Sequence, residues 1–235
     1  MNNSKILTRQ NPCEMTAVPG GIMDCIRSET IIGTSDSFLA LNNSSFNFTK
    51  APLSFPIQIA AFNRSVTLTA KPLSYHYEHQ IMSFKSACTP LLRFLKTDAF
   101  TYEEAGNTCT TLFFDEDDNK LVAFCSIKCS SLKVKGGKLL NLCPSVEIAV
   151  LCVDDQYRYM GIGQAIITHT LQQIYKIKKI VGVQFVTLFA LPDAVAFYQK
   201  LNFHKLSKIV KIFYALGHEG CIPMYLPLSH ANSGA

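Results

Sequence analysis

The sequence predicts an α/β fold in which two parallel strands are joined through a long helix. Three consecutive features carry this prediction. Residues 146–153 form a nearly unbroken apolar run, residues 161–163 form a Gly-Ile-Gly turn, and residues 164–179 place apolar residues at helical spacing. Strands that are buried on both faces have such apolar runs. A helix that follows one strand and precedes another is the usual crossover between parallel strands.

The region before this unit predicts helices and a hairpin. Residues 80–99 have apolar side chains at helical spacing and are interrupted by Pro90, so we expect one helix or two short ones. Residues 110–114 and 121–129 are β-rich and flank the acidic turn 115–119, which is typical of a β-hairpin.

The region after the long helix continues the alternation. Residues 184–191 predict a second buried strand, and Pro192 stands where a short helix begins. That helix ends near Asn202, a strand follows from Phe203, and residues 224–228 predict a last short strand.

The first part of the chain has a different composition from the rest. It is rich in Ser, Thr and Asn and is interrupted by prolines, so we expect loops and short strands, with 54–61 as the best strand candidate. We therefore divide the chain into an N-terminal extension (1–72), a folded α/β domain (73–229) and a short tail (230–235).

Composition excludes several classes of protein. The chain has 235 residues, of which 48% are hydrophobic and 17% charged, which is enough for a full core and unlike collagen, coiled coils or disordered chains. No run approaches the roughly 20 apolar residues of a membrane span, and the N-terminus lacks a signal-type apolar core. The nine cysteines are odd in number and scattered. We expect a cytoplasmic protein with reduced thiols and no metal site.

The charge is distributed unevenly. Residues 1–118 contain 9 Lys and Arg against 12 Asp and Glu, a net of −3, whereas residues 119–235 contain 13 against 5, a net of +8. A basic half attracts anions, and phosphate-bearing ligands, a CoA-type cofactor and RNA all qualify.

The glycine turn is the most informative motif. Gly161 and Gly163 allow the backbone to turn tightly, and they leave the first amides of the following helix free to bind an anion such as a diphosphate. Ile166 occupies the position of the third glycine of the dinucleotide fingerprint, and no Gly-Lys-Ser/Thr follows, so the Rossmann and Walker motifs are both excluded.

Two segments resemble the GNAT superfamily of N-acetyltransferases. Arg158-Tyr-Met-Gly-Ile-Gly163 is similar to the family's Arg/Gln-x-x-Gly-x-Gly/Ala motif, and Ala196-Phe-Tyr-Gln-Lys-Leu-Asn-Phe203 is similar to its Ala-x-x-Phe-Tyr-x-x-x-Gly-Phe pattern. Asn202 stands where the family usually has glycine, and Asn is the next best residue for a left-handed helix cap. The resemblance covers about residues 75–228.

This resemblance implies a fold and a cofactor. The fold is a mixed, mostly antiparallel sheet whose central parallel pair splays apart at the acetyl-CoA site, flanked by helices. An amine would attack the bound thioester directly. Tyr198 stands where the family often has the acid that protonates the CoA thiolate, and a backbone N–H of the central strand would polarise the carbonyl. The residues expected to bind the cofactor are Leu151, Cys152, Val153, Arg158, Tyr159, Met160, Gly161, Ile162, Gly163 and Gln164.

Glu147 is the candidate general base. It is a lone carboxylate in an apolar strand, where burial is expected to raise its pKa towards neutrality. A purely structural role is the alternative. Cys152 is expected to be inert, because an apolar strand raises a thiol pKa. His169 is expected to lie at the surface or to pack against the fold, and not to act in catalysis.

The acceptor is open at this stage. Our main reading is a primary amine of a small molecule or protein. The first alternative, by resemblance, is a bacterial GNAT toxin that acetylates aminoacyl-tRNA and is paired with an antitoxin. The second is a CoA-binding or RNA-binding module without turnover. We expect a homodimer to form through exposed late strands such as 208–214.

Overall fold

A computed structural model describes residues 53–59, 64–136, 139–206 and 220–228. The predictions for residues 1–52, for a dimer strand at 208–214 and for the tail lie outside the described residues. Within them, no helix is long and apolar enough to cross a membrane.

In the described ranges, eight strands form one sheet in the order β1-β2-β3-β4-β5-β6-β8-β7. All neighbouring strands are antiparallel except β5 and β6, which are parallel. The bounds are β1 Leu53–Ile59, β2 Arg64–Pro72, β3 Cys109–Asp115, β4 Lys120–Gly136, β5 Leu139–Val153, β6 Phe185–Ala190, β7 His204–Lys205 and β8 Ile222–Pro227. The prediction of a mixed, mostly antiparallel sheet with a central parallel pair is confirmed.

Among the residues that the structure describes, five α-helices flank the sheet. Their bounds are α1 Glu78–Ser83, α2 Thr89–Arg93, α3 Ala99–Glu104, α4 Ile162–Lys178 and α5 Val195–Lys200. Residues 94–98 form a π-helical turn that connects α2 to α3. Pro90 lies in the first turn of α2, where its missing N–H costs nothing, so it opens this helix and divides the region as predicted.

The two faces of the sheet bury separate apolar clusters. On one face, α4 and α5 pack against Val146 and Ile148 of β5. On the other, α1–α3 pack against Phe124 of β4 and Val150 of β5. Because β5 contributes to both clusters, it is buried on both faces, as its apolar run predicts.

The strands of the predicted extension belong to the same sheet. β1 and β2 pair with each other, and β2 pairs with β3 from Leu68↔Asp115 to Pro72↔Thr111. β1 lies within the strand candidate 54–61 except for its first residue. The predicted boundary at residue 72 therefore falls at the end of β2, after a strand that is already hydrogen-bonded to β3.

Candidate active site

The parallel strands separate and leave an opening in the sheet. Their pairing runs from Ser145↔Phe185 to Ile148↔Leu188 and stops there, although β5 continues to Val153 and β6 to Ala190. Beyond Ile148, β5 has no described neighbour on its β6 side. Its backbone groups there are free to bond an extended ligand, as an unpaired strand edge does.

A β-bulge lies at the start of this opening. In the β4–β5 ladder Ile127 pairs with Ile148 and Ser126 pairs with Val150, so Ala149 is an extra residue without a partner in β4. Ala149 and Val150 both contact the cluster under α1–α3. A bulge bends its strand and increases the local twist, which explains why β5 departs from β6 at this residue.

The glycine turn follows β5 directly. Gly161 has φ +82°, a left-handed conformation that favours glycine, and it is the N-cap of α4 without a side-chain hydrogen bond. The first hydrogen bond of the helix joins the Ala165 N–H to the Gly161 carbonyl at 3.1 Å. The amides before Ala165 have no helical carbonyl to bond, so the turn fits an anion.

The side chains beside the turn are arranged around its entrance. Tyr159 is 93% exposed and has φ +65°, and the Arg158 guanidinium lies 5.3 Å from the centre of its ring. Arg158 also lies 3.8 Å from the Asp155 carboxylate. Both predicted cofactor residues thus stand at the surface of the turn, with a cation close to the free amides.

The turn, β5 and α5 converge closely. A Cβ atom on Gly163 would lie 3.4 Å from the Phe197 ring and 3.8 Å from the Val153 side chain. Leu151 and Met160 pack against the same apolar cluster as Tyr198. The structure therefore brings the two sequence motifs together at the opening.

Tyr198 is buried on α5 between two aromatic rings. The ring centres of Phe197 and Phe203 lie 5.0 and 5.8 Å from that of Tyr198. Burial raises the pKa of its hydroxyl well above the usual 10, and the thiols of Cys125 and Cys152 raise it further. The phenol therefore holds its proton throughout the neutral range and can act as an acid.

The helix that carries Tyr198 ends as predicted. Asn202 has φ +65°, and the Phe203 N–H donates to the Tyr198 carbonyl at 3.0 Å. The Asn202 N–H bonds the Gln199 carbonyl, also at 3.0 Å. These are the bonds of a left-handed helix cap, so Asn202 supplies the left-handed conformation that was predicted for it.

Glu147 is buried but is not a lone carboxylate, and the sequence prediction is corrected on this point. It is 6% exposed, and Lys128, directly opposite on β4, places its Nζ 3.0 Å from Oε1. The Ser130 hydroxyl donates to Oε2 at 3.3 Å. The predicted isolation of the carboxylate was wrong because the register of the β4–β5 hairpin, which places Lys128 there, is not apparent from either segment alone.

A loop on the opposite side of β5 is fixed by Asp154, which the sequence analysis did not single out. Asp154 is 1% exposed and accepts from the Lys85 N–H at 3.0 Å and from the Gln156 N–H at 3.0 Å, one on each carboxylate oxygen. The Asp155 N–H donates to the Lys85 carbonyl at 3.1 Å. The α1–α2 loop is thereby joined to the end of β5. An acidic residue immediately after a buried strand was the available signal.

Two other candidates occupy the places expected of them. Burial raises the pKa of the Cys152 thiol to about 11, and its Sγ lies 3.3 Å from the Ser86 hydroxyl, so it is protonated and inert at neutral pH. His169 packs edge-on against Phe113 with ring centres 5.9 Å apart. Across the described ranges, no three His, Cys, Asp or Glu residues form a group that could hold a metal.

Comparison with known proteins identifies the domain. Residues 109–205 match the family model described as an acetyltransferase (GNAT) domain. Over this range the chain is similar to the GNAT acetyltransferases. The matched range includes the opening, the glycine turn and Tyr198, so the predicted family and the predicted class of enzyme, an acyltransferase, are confirmed for this domain. No curated protein matches the chain.

Solved structures confirm that the GNAT fold extends over most of the chain. A Tyr-to-Phe mutant of KacT is 19% identical with a TM-score of 0.57, covering 68% of this chain and 94% of its own. AtaT complexed with acetyl-methionyl-tRNAfMet is 16% identical with a TM-score of 0.56, covering 68% and 94%. A structure described as a bacterial toxin is 20% identical with a TM-score of 0.56, covering 75% and 90%.

Proposed function

We propose that this protein is an acetyl-CoA-dependent N-acetyltransferase that acetylates a primary amine in a ternary complex. The observation that carries the proposal is the alignment of three features: the opening after Ile148, the free amides at Gly161–Gln164, and the protonated phenol of Tyr198. When bound, acetyl-CoA supplies an acetyl thioester, which an amine attacks with loss of the CoA thiol.

The residues that fit this cofactor are those predicted from the sequence. The amides from Tyr159 to Gln164 suit the diphosphate, with Arg158 at the entrance. The unpaired edge of β5 at Leu151, Cys152 and Val153 suits the pantetheine arm, whose amides resemble a peptide backbone.

Two protons have to move in such a transfer. Tyr198 holds one on its hydroxyl and is suited to donate it to the departing thiolate. Glu147 is suited to accept the amine proton, directly or through water, although its two oxygens already contact the Lys128 ammonium and the Ser130 hydroxyl. The structural alternative for Glu147 gains support from the same ion pair.

The test is release of CoA thiol from acetyl-CoA in the presence of candidate amines. We expect amine-dependent release by the wild type and a loss of at least 100-fold in kcat for Tyr198→Phe, within the range attributed to general acid catalysis. Binding of acetyl-CoA should be nearly unchanged. If acetyl-CoA binds but no CoA thiol is released, and Tyr198→Phe does not change the binding, the result would instead support a CoA-binding module.

A second candidate acceptor is aminoacyl-tRNA. Among structures with the same fold, AtaT is complexed with acetyl-methionyl-tRNAfMet, and another AtaT structure contains the C-terminus of the antitoxin AtaR and acetyl-CoA. The net charge of +8 over residues 119–235 suits RNA. Under this proposal the protein acts in the cytoplasm, where cysteine thiols remain reduced, and an antitoxin and a second copy of the chain are its expected partners.

Growth arrest and N-acetylated aminoacyl-tRNA on expression, both abolished by Tyr198→Phe, would support the toxin. Harmless expression of an enzyme that is active on free amines would refute it.

A further inference from the structure

We propose that Thr187 binds the acceptor, donating a hydrogen bond from its hydroxyl to a carbonyl oxygen adjacent to the amine that is acetylated. The acceptor class is then an α-aminoacyl ester or amide and not a simple alkylamine. This inference rests on the proposed function and extends it to a residue on β6.

Thr187 lies in a row of polar side chains that crosses five strands. The pairs Lys128↔Glu147, Glu147↔Thr187, Thr187↔Tyr225 and Tyr225↔His204 are each in direct register. Directly paired residues project from the same face of a sheet. This polar row therefore lies on the face opposite α4 and α5, since the neighbouring Val146 and Ile148 contact those helices.

The position of Thr187 along β6 places it beside the opening. The last pair before the strands separate is Ile148↔Leu188, one residue further on. One residue advances a strand by about 3.3 Å. In an aminoacyl group the amine nitrogen and the carbonyl oxygen are joined by three bonds, N–Cα, Cα–C and C=O, of about 1.5, 1.5 and 1.2 Å. When the amine lies in the opening, the carbonyl oxygen can therefore lie about one residue away along β6, at the level of Thr187.

The hydroxyl of Thr187 lacks a partner where one is expected. The residue is 6% exposed, and Oγ1 has no hydrogen-bond partner in the described part of the chain. Leaving a buried hydroxyl unpaired is costly, and such groups in native proteins call for an explanation. A ligand that bonds it would remove this cost.

The chemistry of the neighbours narrows the ligand. Glu147 already receives the Lys128 ammonium and the Ser130 hydroxyl, and the ion pair leaves this part of the row with no net charge. A charged ligand group gains little there. A neutral acceptor such as a carbonyl oxygen can accept the hydrogen bond of the Thr187 hydroxyl without introducing a buried charge.

The experiment compares two acceptors on the full-length protein. Glycinamide has a carbonyl next to its amine, and propylamine has the same chain length without one. Thr187→Val should lower kcat/KM for glycinamide about tenfold, which corresponds to one neutral hydrogen bond, and change that for propylamine less than twofold. Thr187→Ser should keep the preference for glycinamide. The acetyl-CoA Kd should stay the same.

Stability without substrate provides an independent readout. Since the hydroxyl has no partner among the described residues, Thr187→Val should leave the melting temperature equal or higher. Ser145→Ala is the matched control. Ser145 is 4% exposed, its hydroxyl also lacks a described partner, and it lies on the same face, farther from the opening. It should leave the ratio of the two kcat/KM values unchanged.

The outcomes separate the two proposals. The inference fails and the proposed function stands if glycinamide is acetylated but Thr187→Val leaves kcat/KM unchanged for both acceptors or lowers it equally for both. The same conclusion follows if Ser145→Ala has the same effect as Thr187→Val. If the wild type acetylates neither of these amines nor aminoacyl-tRNA although acetyl-CoA binds, the amine-transferase function fails and the inference fails with it. A selective loss for glycinamide together with an undiminished melting temperature supports both.

Discussion

The buried carboxylate of Asp154 connects the two sides of the active site. Each of its oxygens accepts one backbone N–H, from Lys85 in the α1–α2 loop and from Gln156 in the turn that precedes Arg158. Hydrogen bonds to a charged acceptor are stronger than neutral ones. One side chain thus sets the position of the loop and of the chain that enters the glycine turn.

Asp154→Asn should lower the free energy of unfolding by about 1–3 kcal/mol, because the amide group can accept only one of the two bonds and its NH₂ faces a buried N–H. Denaturant unfolding measures the loss. Hydrogen exchange should accelerate at the Lys85 or Gln156 amide.

The control for this variant is Asp155→Asn. Asp155 is next in sequence, its side chain is 39% exposed, and the contact described for that side chain is a long ion pair to Arg158. A change within about 0.5 kcal/mol is expected for such a surface position. Equal losses for Asp154→Asn and Asp155→Asn would show that the two backbone bonds do not stabilise the fold.

The glycine turn and α4 form the element on which the cofactor proposal depends, and its two glycines have different roles. Gly161 adopts φ +82°, which costs other residues about 1–2 kcal/mol. A Cβ on Gly163 would make only ordinary contacts with Phe197 and Val153. Gly161 therefore sets the conformation of the turn, whereas Gly163 gives close approach to α5.

Gly161→Ala should weaken acetyl-CoA binding and lower the free energy of unfolding by about 1–2 kcal/mol, because alanine is strained at that φ. Gly163→Ala, changed by the same methyl group two residues away, should fold with equal or slightly greater stability, since alanine is the better helix former. Calorimetric titration and thermal unfolding of both variants measure these effects. Equal behaviour of the two variants would refute the distinction.

The elements of the sequence prediction correspond closely to those of the structure where local pattern determines them. The apolar run of β5, the helical spacing of α4 and the Asn202 cap all depend on neighbours in sequence. The pairing of Lys128 with Glu147 and of Glu147 with Thr187 depends on register between distant strands, and no local pattern fixes it. The motif residues of the site were therefore predictable, and the polar row was not.

At the scale of the whole molecule, buried acids of high pKa affect stability. Burial raises the pKa of the Cys125 thiol from 9 to about 12 and that of Cys152 to about 11, and it also raises that of Tyr198. Above pH 9 the unfolded chain loses these protons first, so it binds fewer protons than the folded protein. The free energy of unfolding should then fall as the pH rises.

Denaturant midpoints measured between pH 7 and 11 test this expectation. The three groups should leave the midpoint unchanged up to about pH 9 and should lower it between pH 9 and pH 11. The double variant Cys125→Ala, Cys152→Ala should decline less steeply, because only Tyr198 of the three remains. An identical slope in the variant would contradict the assigned cause.

The basic second half of the chain bears on how ligands reach the site. Its excess of 8 positive charges lies in the half that contains the opening, the glycine turn and α4. Both CoA, through its phosphates, and RNA are polyanions that such a field attracts. The charge therefore accommodates the cofactor and either acceptor without distinguishing between acceptors.

The central claim is that the opened sheet and the glycine turn together bind acetyl-CoA. A crystal structure of the protein with acetyl-CoA tests it most directly. We predict the diphosphate on the amides of Gly161–Gln164, the thioester between β5 and β6 beyond Ile148, and the Tyr198 hydroxyl facing the sulfur. Acetyl-CoA bound elsewhere, or strands that stay hydrogen-bonded past Ile148 and Leu188, would contradict the account.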